Sequence, residues 1–319
     1  MATTADASAR PVRLSRNETH TRSQSLSRLA LRRFLRHRMA LVGTFILLGI
    51  LIYIVGGSIR FSEADANFND TSISLNPPSP AHPFGTDRVG RDILIRTIYG
   101  GQISLLIGLF SVVVEVGLGT LVGALSGYYG GWIDSILMRI AEAMLSIPSL
   151  LLLLVMAKFF SDKVPDIELL GRTLSGSVVV IILILGLTSW MYLARIVRSS
   201  FLSLRESEFV TAARALGATN ARIILAHILP NTFAPIIVAA TLGIASAILS
   251  ESYISFLGLG VRPPTASWGN MLDGAYQFLE SAPWLWIFPG LLVILTVLSI
   301  NFVGDGLRDA LDPRADKKI

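Results

Sequence analysis

The sequence predicts an all-α, polytopic membrane protein with six transmembrane helices, on three observations. The chain of 319 residues is 52% hydrophobic, with a mean hydropathy of +0.62. Only 15% of its residues are charged, where a soluble domain carries about 25%. Its apolar residues gather in long runs, each near or above the roughly 20 residues that cross a hydrocarbon core of about 30 Å. These runs fall at 39–58, 103–126, 136–160, 177–198, 232–257 and 283–303. The third is interrupted by Arg139, Glu142 and Pro148, and the proline should kink the helix or end it.

The remaining organisation follows from the spans. Residues 1–38 form a basic tail, 59–102 an outer loop, 103–303 a five-helix core with an inner loop at 201–231, and 304–319 a second tail. Lys and Arg number eighteen in the segments on the side of both termini and seven on the other. By the positive-inside rule both termini and the 201–231 loop are cytoplasmic, as in a bacterial plasma membrane. This distribution accounts for the basic excess, so no nucleic-acid partner is expected. The tail is rich in Arg, Ser and Thr, as a transit peptide is. The first apolar run is long for a signal sequence, however, and favours an uncleaved anchor behind a disordered tail whose charge suits anionic lipid. The chain has no cysteine, hence neither a disulfide framework nor a thiolate metal site. His20, His37, His82 and His227 lie too far apart to suggest a metal cluster.

The outer loop begins with turn-rich "SLNPPSPAHPFG" and continues with "GTDRVGRDILIRTIYGG". Asp87 can cap a short amphipathic helix starting near Arg88, with acid-first pairs Asp87/Arg91 and Asp92/Arg96. Leu94, Ile95, Ile98 and Tyr99 gather on its apolar side. Such a helix is either the re-entry elbow of the second span or a seat for an outside partner. In the 258–282 loop, glycines, Pro263-Pro264 and Trp268 suggest an ordered loop with an interfacial aromatic anchor.

The segment "EFVTAARALGATNARIILAHILPN", 208–231, is too patterned for a plain loop. Residues 205–216 read as a short helix with Phe209, Ala212, Ala213 and Leu216 on one small-residue face, while Glu206 and Arg214 face water. Gly217 permits a tight or left-handed turn. Thr219 or Asn220 then caps a second helix carrying Ile223, Ile224, Ile228 and Leu229, bounded near Leu229-Pro230. The elbow suits either a groove on another protein or the lipid surface.

The segment resembles the "EAA" loop of ABC-importer permeases, E-A-A-x3-G-x9-I-x-L-P. Ala212, Ala213, Gly217, Leu229 and Pro230 are in register. Thr211 replaces the motif's Glu, with Glu208 three residues earlier, and His227 replaces its Ile. "EFVTAARALGA" with "HILPN" is similar to the C-type permease of dipeptide, oligopeptide and nickel importers. "FGTDRVGRDILIRTIYGG", "MRIAEAMLSIPSLLLL" and "SESYISFLGLGVRPPTASWG" resemble the same subunit in the same order, over roughly 83–306. The resemblance implies a type I importer fold, a second related permease subunit, two ATPase subunits and an extracytoplasmic solute-binding protein. It also implies that 206–217 is the coupling helix, with Glu206, Glu208, Phe209, Ala212, Ala213, Leu216 and Gly217 facing the ATPase. The chain itself has no G-x-x-x-x-G-K-[ST] and no Gly-Lys pair, so ATP and magnesium are expected on partner chains, and no cofactor is expected on this one.

Three acids lie in or near spans. Glu142 can pair with Arg139 one turn away. Glu251 sits near the outer end of span five, where water can reach it, as a gate or a structural group. Glu115 is deepest and has no sequence-local partner, which makes it a candidate for the translocation path or the subunit interface. A carboxylate there could meet a peptide amino terminus. The stripe Gly119, Gly123 and Gly127 permits close helix packing, either internal or between subunits. A stand-alone ion-coupled carrier and a non-transporting scaffold are the alternatives. The first is disfavoured by the absence of a clear inverted repeat, and neither accounts for 208–231. Peptide is the expected substrate, with nickel or another small solute as the alternative.

Overall fold

The computed structural model describes residues 26–160, 163–169 and 172–312. Residues 1–25 and 313–319, most of the two predicted tails, lie outside the described residues. The elements in chain order are α1 (Leu26–Phe34), α2 (Arg38–Arg60), α3 (Glu63–Asn67), α4 (Ile93–Tyr129), α5 (Gly131–Leu145) and α6 (Ser149–Phe160). A hairpin of β1 (Ile167–Leu169) and β2 (Arg172–Leu174) follows. Then come α7 (Gly176–Arg205), α8 (Glu208–Ala215), α9 (Asn220–Arg222), α10 (Phe233–Phe256), α11 (Trp268–Met271) and α12 (Trp284–Leu311). Five helical segments are long and apolar enough to cross a membrane, and α5 and α6 qualify only as a pair, bent by 86° at their junction, which is the geometry of a broken span or of a re-entrant loop. The bend falls at Ser146–Pro148, where proline lacks the amide hydrogen that would continue the ladder.

Glycines set the core. α4 and α7 run parallel, because Gly119, Gly123 and Gly127 meet Leu193, Ala194 and Phe201 in ascending order. A β-carbon at Gly123 would lie 2.5 Å from the Ala194 carbonyl oxygen, and one at Gly127 2.6 Å from the Phe201 β-carbon. The stripe is therefore an internal seam that brings two backbones together, which only small residues allow. α10 lies antiparallel on α4, with Ser104 opposite Glu251 and Gly108 opposite Ile248. α2 runs antiparallel to α12, with Gly43 on Ser299 and Ala40 on Gly306.

The structure departs from four expectations. The tail before the first span is helical at α1, which packs on the end of α12 through Phe34 against Gly306 and through Arg33, donating to the Asp312 carbonyl at 3.0 Å. The amphipathic outer helix and the second span are one 37-residue helix beginning at Ile93, capped by Asp92 rather than Asp87. Asp87 instead closes a turn, accepting from the Val89 and Arg91 amides at 2.9 Å each, and Gly90 supplies its φ of +79°. Gly100 and Gly101 do not break α4, because they serve contact: Gly100 abuts Ser267–Trp268 and Gly101 abuts Trp268 and Ile54.

Asp92 also takes a different partner, His82 at 2.8 Å, while buried Arg96 donates to Asn67 Oδ1 at 3.2 Å. The predicted Asp87–Arg91 pair is present at 2.7 Å. Trp268, expected at the interface, is fully buried and donates from Nε1 to the Thr97 carbonyl at 2.8 Å. An indole so placed satisfies its one polar atom while filling the space beside Gly101.

The seam makes a direct prediction. Gly123→Leu should overpack it, lowering the stability of the purified chain in detergent by roughly 1–3 kcal/mol. Gly117→Leu, whose β-carbon meets open space, should leave the thermal midpoint unchanged.

Candidate functional site

Two features stand out: the elbow at 206–232 and a cleft within the bundle. α7 ends at Arg205, so Glu206 lies in the corner rather than in the next helix, accepting from Arg205 Nε at 2.9 Å. α8 follows over Glu208–Ala215 and is closed by a Schellman motif. The Gly217 amide donates to the Arg214 carbonyl and the Ala218 amide to the Ala213 carbonyl, both at 3.0 Å, with Gly217 at φ +82°. Thr219, of the two capping candidates, accepts from the Arg222 amide. From α9 the chain does not stop at Pro230. It widens into a π-helical turn, Ile223–Ile228, and tightens into a 3₁₀ turn, Leu229–Thr232, before α10. The Leu229 amide reaches back five residues to Ile224, so the backbone is already loosened where proline removes a donor.

α8 has two unlike sides. Val210 is fully buried in a cluster with Phe201, Tyr128, Ile223 and Ile228, which pins α8 to α7 and to the end of α4. Away from it, Phe209 is 41% exposed and Leu216 89% exposed. Glu208, Ala212 and Gly217 are exposed beside them and Ala213 is half-buried, so the predicted face is open save for Ala213. Sequence reasoning missed Val210, whose apolar signal matches that of its exposed neighbours.

Polar links fasten the elbow to the bundle. Arg198 grips Asp134 with Nε at 2.5 Å and Nη2 at 2.6 Å, and Ser126 donates to the same carboxylate. Tyr128 donates to Asn220 Oδ1 at 2.7 Å, and Arg205 Nη1 to the Tyr128 carbonyl at 3.1 Å. None of these partners is visible from sequence spacing. Glu142 meets Arg139 at 3.7 Å, as expected, with both exposed.

The cleft, of about 620 Å³, lies between the α5–α6 bend, α7, α10 and α4. Its wall mixes hydroxyls (Ser146, Thr188, Ser189, Ser246 and the phenol of Tyr192) with apolar groups such as Met191 and Leu242, and Glu115 is its one carboxylate. Glu115 has no hydrogen-bond or ion-pair partner among the described residues. Its carboxylate faces Gly243, whose missing side chain leaves it room.

The expectation that water reaches Glu251 does not hold. Glu251 is fully buried and does not line the cleft. Its carboxylate accepts from Ser255 and Ser267 Oγ at 2.6 Å and Ser104 Oγ at 3.3 Å. Those serines in turn accept from the Val261, Asn270 and Trp268 amides. One buried carboxylate thus ties α10, α4 and the 258–271 loop together. No group of three or more potential metal ligands occurs among the described residues.

Helices long and apolar enough to cross a membrane surround a cleft, with an open elbow at one end, and similarity to known proteins assigns this arrangement to the membrane-spanning subunits of ABC importers. The chain belongs to the family of binding-protein-dependent transport system inner membrane components, which matches residues 119–317. Residues 25–78 match the N-terminal TM domain of oligopeptide transport permease C. The chain is 42% identical to the dipeptide transport system permease protein DppC of Alkalihalophilus pseudofirmus, over 90% of each chain. It is 40% identical to the oligopeptide transport system permease protein OppC of Haemophilus influenzae, over 93% of this chain and 91% of that one. Among solved structures, the inward-facing MetNI methionine ABC transporter matches its fold with a TM-score of 0.53 at 21% identity, over 69% of this chain and 98% of that one.

The Glu251 cage predicts unequal substitutions. Glu251→Ala strands three buried hydroxyls and should lower the stability of the purified protein by roughly 1–3 kcal/mol. Glu251→Gln keeps an acceptor, and its thermal midpoint should fall clearly less.

Proposed function

We propose that this chain forms half of the translocation path of a peptide importer and takes its energy from separate ATPase subunits through α8. The observation that carries this reading is the unlike pair of sides on α8, with Val210 sealed into the bundle and Leu216 almost wholly uncovered. An exposed leucine on a rigid, capped helix suits insertion into a groove on a partner. A second, related permease subunit completes the path, and an extracytoplasmic binding protein delivers substrate from the side opposite the elbow. Both termini and the elbow then lie in the cytoplasm, as the basic-residue count requires. ATP and magnesium act only on the partner chains.

The links described above give a mechanical route. A displacement of α8 is passed to α7 through Val210 and Phe201, and to the end of α4 through Asn220 and Tyr128. It passes to α10 along the continuous 220–256 segment. α4, α7 and α10 carry Glu115, Met191 and Gly243 on the cleft wall, so movement of the elbow changes the cleft directly. Glu115 meets the ammonium group of the passing peptide, and the hydroxyls serve its amides without selecting a sequence. Glu251 acts on the path only by holding the outer loop in place. The relatives named for dipeptide and oligopeptide transport favour peptides over nickel.

Two experiments test this. Ala212→Asp with Ala213→Asp places charge on the open face, and pull-down of the ATPase subunits should fall below detection while the permease remains in the membrane. Normal assembly would remove α8 from the contact. Glu115→Gln should lower kcat/KM for peptide uptake roughly tenfold, the worth of about one charge-assisted hydrogen bond. Unchanged uptake kinetics would take Glu115 off the path.

A further inference from the structure

We infer that the corner between α1 and α2 is a binding site for the phosphate of an anionic phospholipid, held by Arg32, Arg36 and Arg38. All three are exposed, and none has an acidic partner among the described residues. The end of α12 holds the inner side of the corner. Asp309 faces His37 at 3.5 Å, and the Asp312 carbonyl takes Arg33. Phe34 packs on Gly306, and the His37 Nδ1 caps α2 by accepting from the Ala40 amide at 3.0 Å. The corner is thus fixed to α12 on one side and open on the other.

What covers the open side is indicated by its continuity with α2. Arg38, Phe45, Ile52 and Ile59 recur every seven residues, which keeps them on one side of the helix with a drift of about 20° per repeat. Phe45, Ile52 and Ile59 are exposed large hydrophobics on a helix apolar and long enough to span the membrane, while Ala40, Ile50 and Ile54 bury the opposite side. That outward stripe requires hydrocarbon. Met39, Leu35 and Leu31 of the corner are exposed as well. The arginines therefore sit where acyl chains end and headgroups begin. Guanidinium groups at that depth pair with phosphate, and a fork of N–H donors binds it better than a point charge does. An anionic lipid is favoured over a zwitterionic one because no carboxylate among the described residues pairs with the three arginines, so their positive charge is unopposed there.

The test is native mass spectrometry of the assembled importer, exchanged into micelles holding equal amounts of phosphatidylglycerol and phosphatidylcholine. The wild type should retain phosphatidylglycerol preferentially. Each arginine replaced by glutamine should weaken retention roughly fivefold, and the Arg32→Gln, Arg36→Gln, Arg38→Gln triple variant roughly a hundredfold. The matching triple lysine variant should retain most of the binding, which shows that the corner is still folded. Added inorganic phosphate should leave the lipid in place. Displacement by phosphate would assign the site to a soluble anion and overturn the inference. Unchanged lipid retention in the glutamine variant would overturn it too. So would loss of a partner subunit with lipid retention unaltered, since the face would then be a protein contact.

Discussion

The close approach of α4 and α7 is the constraint on which the rest of the structure depends. In hydrocarbon there is no hydrophobic force to draw helices together, so packing quality decides which pairs form. Gly119, Gly123 and Gly127 let the α4 backbone reach that of α7 over about two turns, and Gly186 extends the contact further along against Val114. Once the two helices run parallel and in register, their lower ends coincide. That coincidence brings Asp134 to Arg198, Tyr128 to Asn220 and Arg205 to the last carbonyls of α4. The elbow inherits its position from the seam rather than from its own sequence.

The molecule is pinned at one end and open at the other. At the end remote from the elbow, the Glu251 carboxylate and the buried Trp268 indole join α4, α10 and the loop between α10 and α12 into one unit. A buried carboxylate is tolerated there because three hydroxyls supply the hydrogen bonds that water would. Midway along the bundle the cleft separates the α5–α6 bend from α7 and α10, and at the other end the elbow offers an uncovered apolar face. A transporter needs this asymmetry, since a bundle locked at both ends could not pass movement to its cleft. The 86° bend contributes in the same way, because it replaces a straight packing helix with a corner that leaves space.

Much of this was legible in the sequence where the signal is local. Spans announce themselves by length and apolarity, and their six positions were read within a few residues wherever no charge or glycine intervened. The Gly217 turn and the Thr219 cap were legible because such motifs close within a few residues. Errors arose where the outcome depends on distant chain. The outer helix starting near Arg88 and the span at 103–126 read as two elements, yet Trp268 and Ile54 fill the space beside Gly100 and Gly101 and one helix runs through both. Trp268 reads as an interfacial anchor, but the Thr97 carbonyl satisfies its indole inside the core. Glu251 reads as water-accessible from its place near a span end, and only the folded loop brings Ser267 over it. Val210 and Phe209 are adjacent and both apolar, so nothing but the Phe201 cluster tells the buried one from the exposed one.

The central claim is that Leu216 and its neighbours on α8 are covered by an ATPase subunit when the importer is assembled. The chain contains no cysteine, so Leu216→Cys introduces a unique thiol. Its maleimide labelling should be compared in membranes with and without the ATPase subunits. The account predicts rapid labelling of the permease alone and strong protection on assembly, with a control cysteine at exposed Arg139 labelled equally in both. Equal labelling of position 216 in the two states would contradict it.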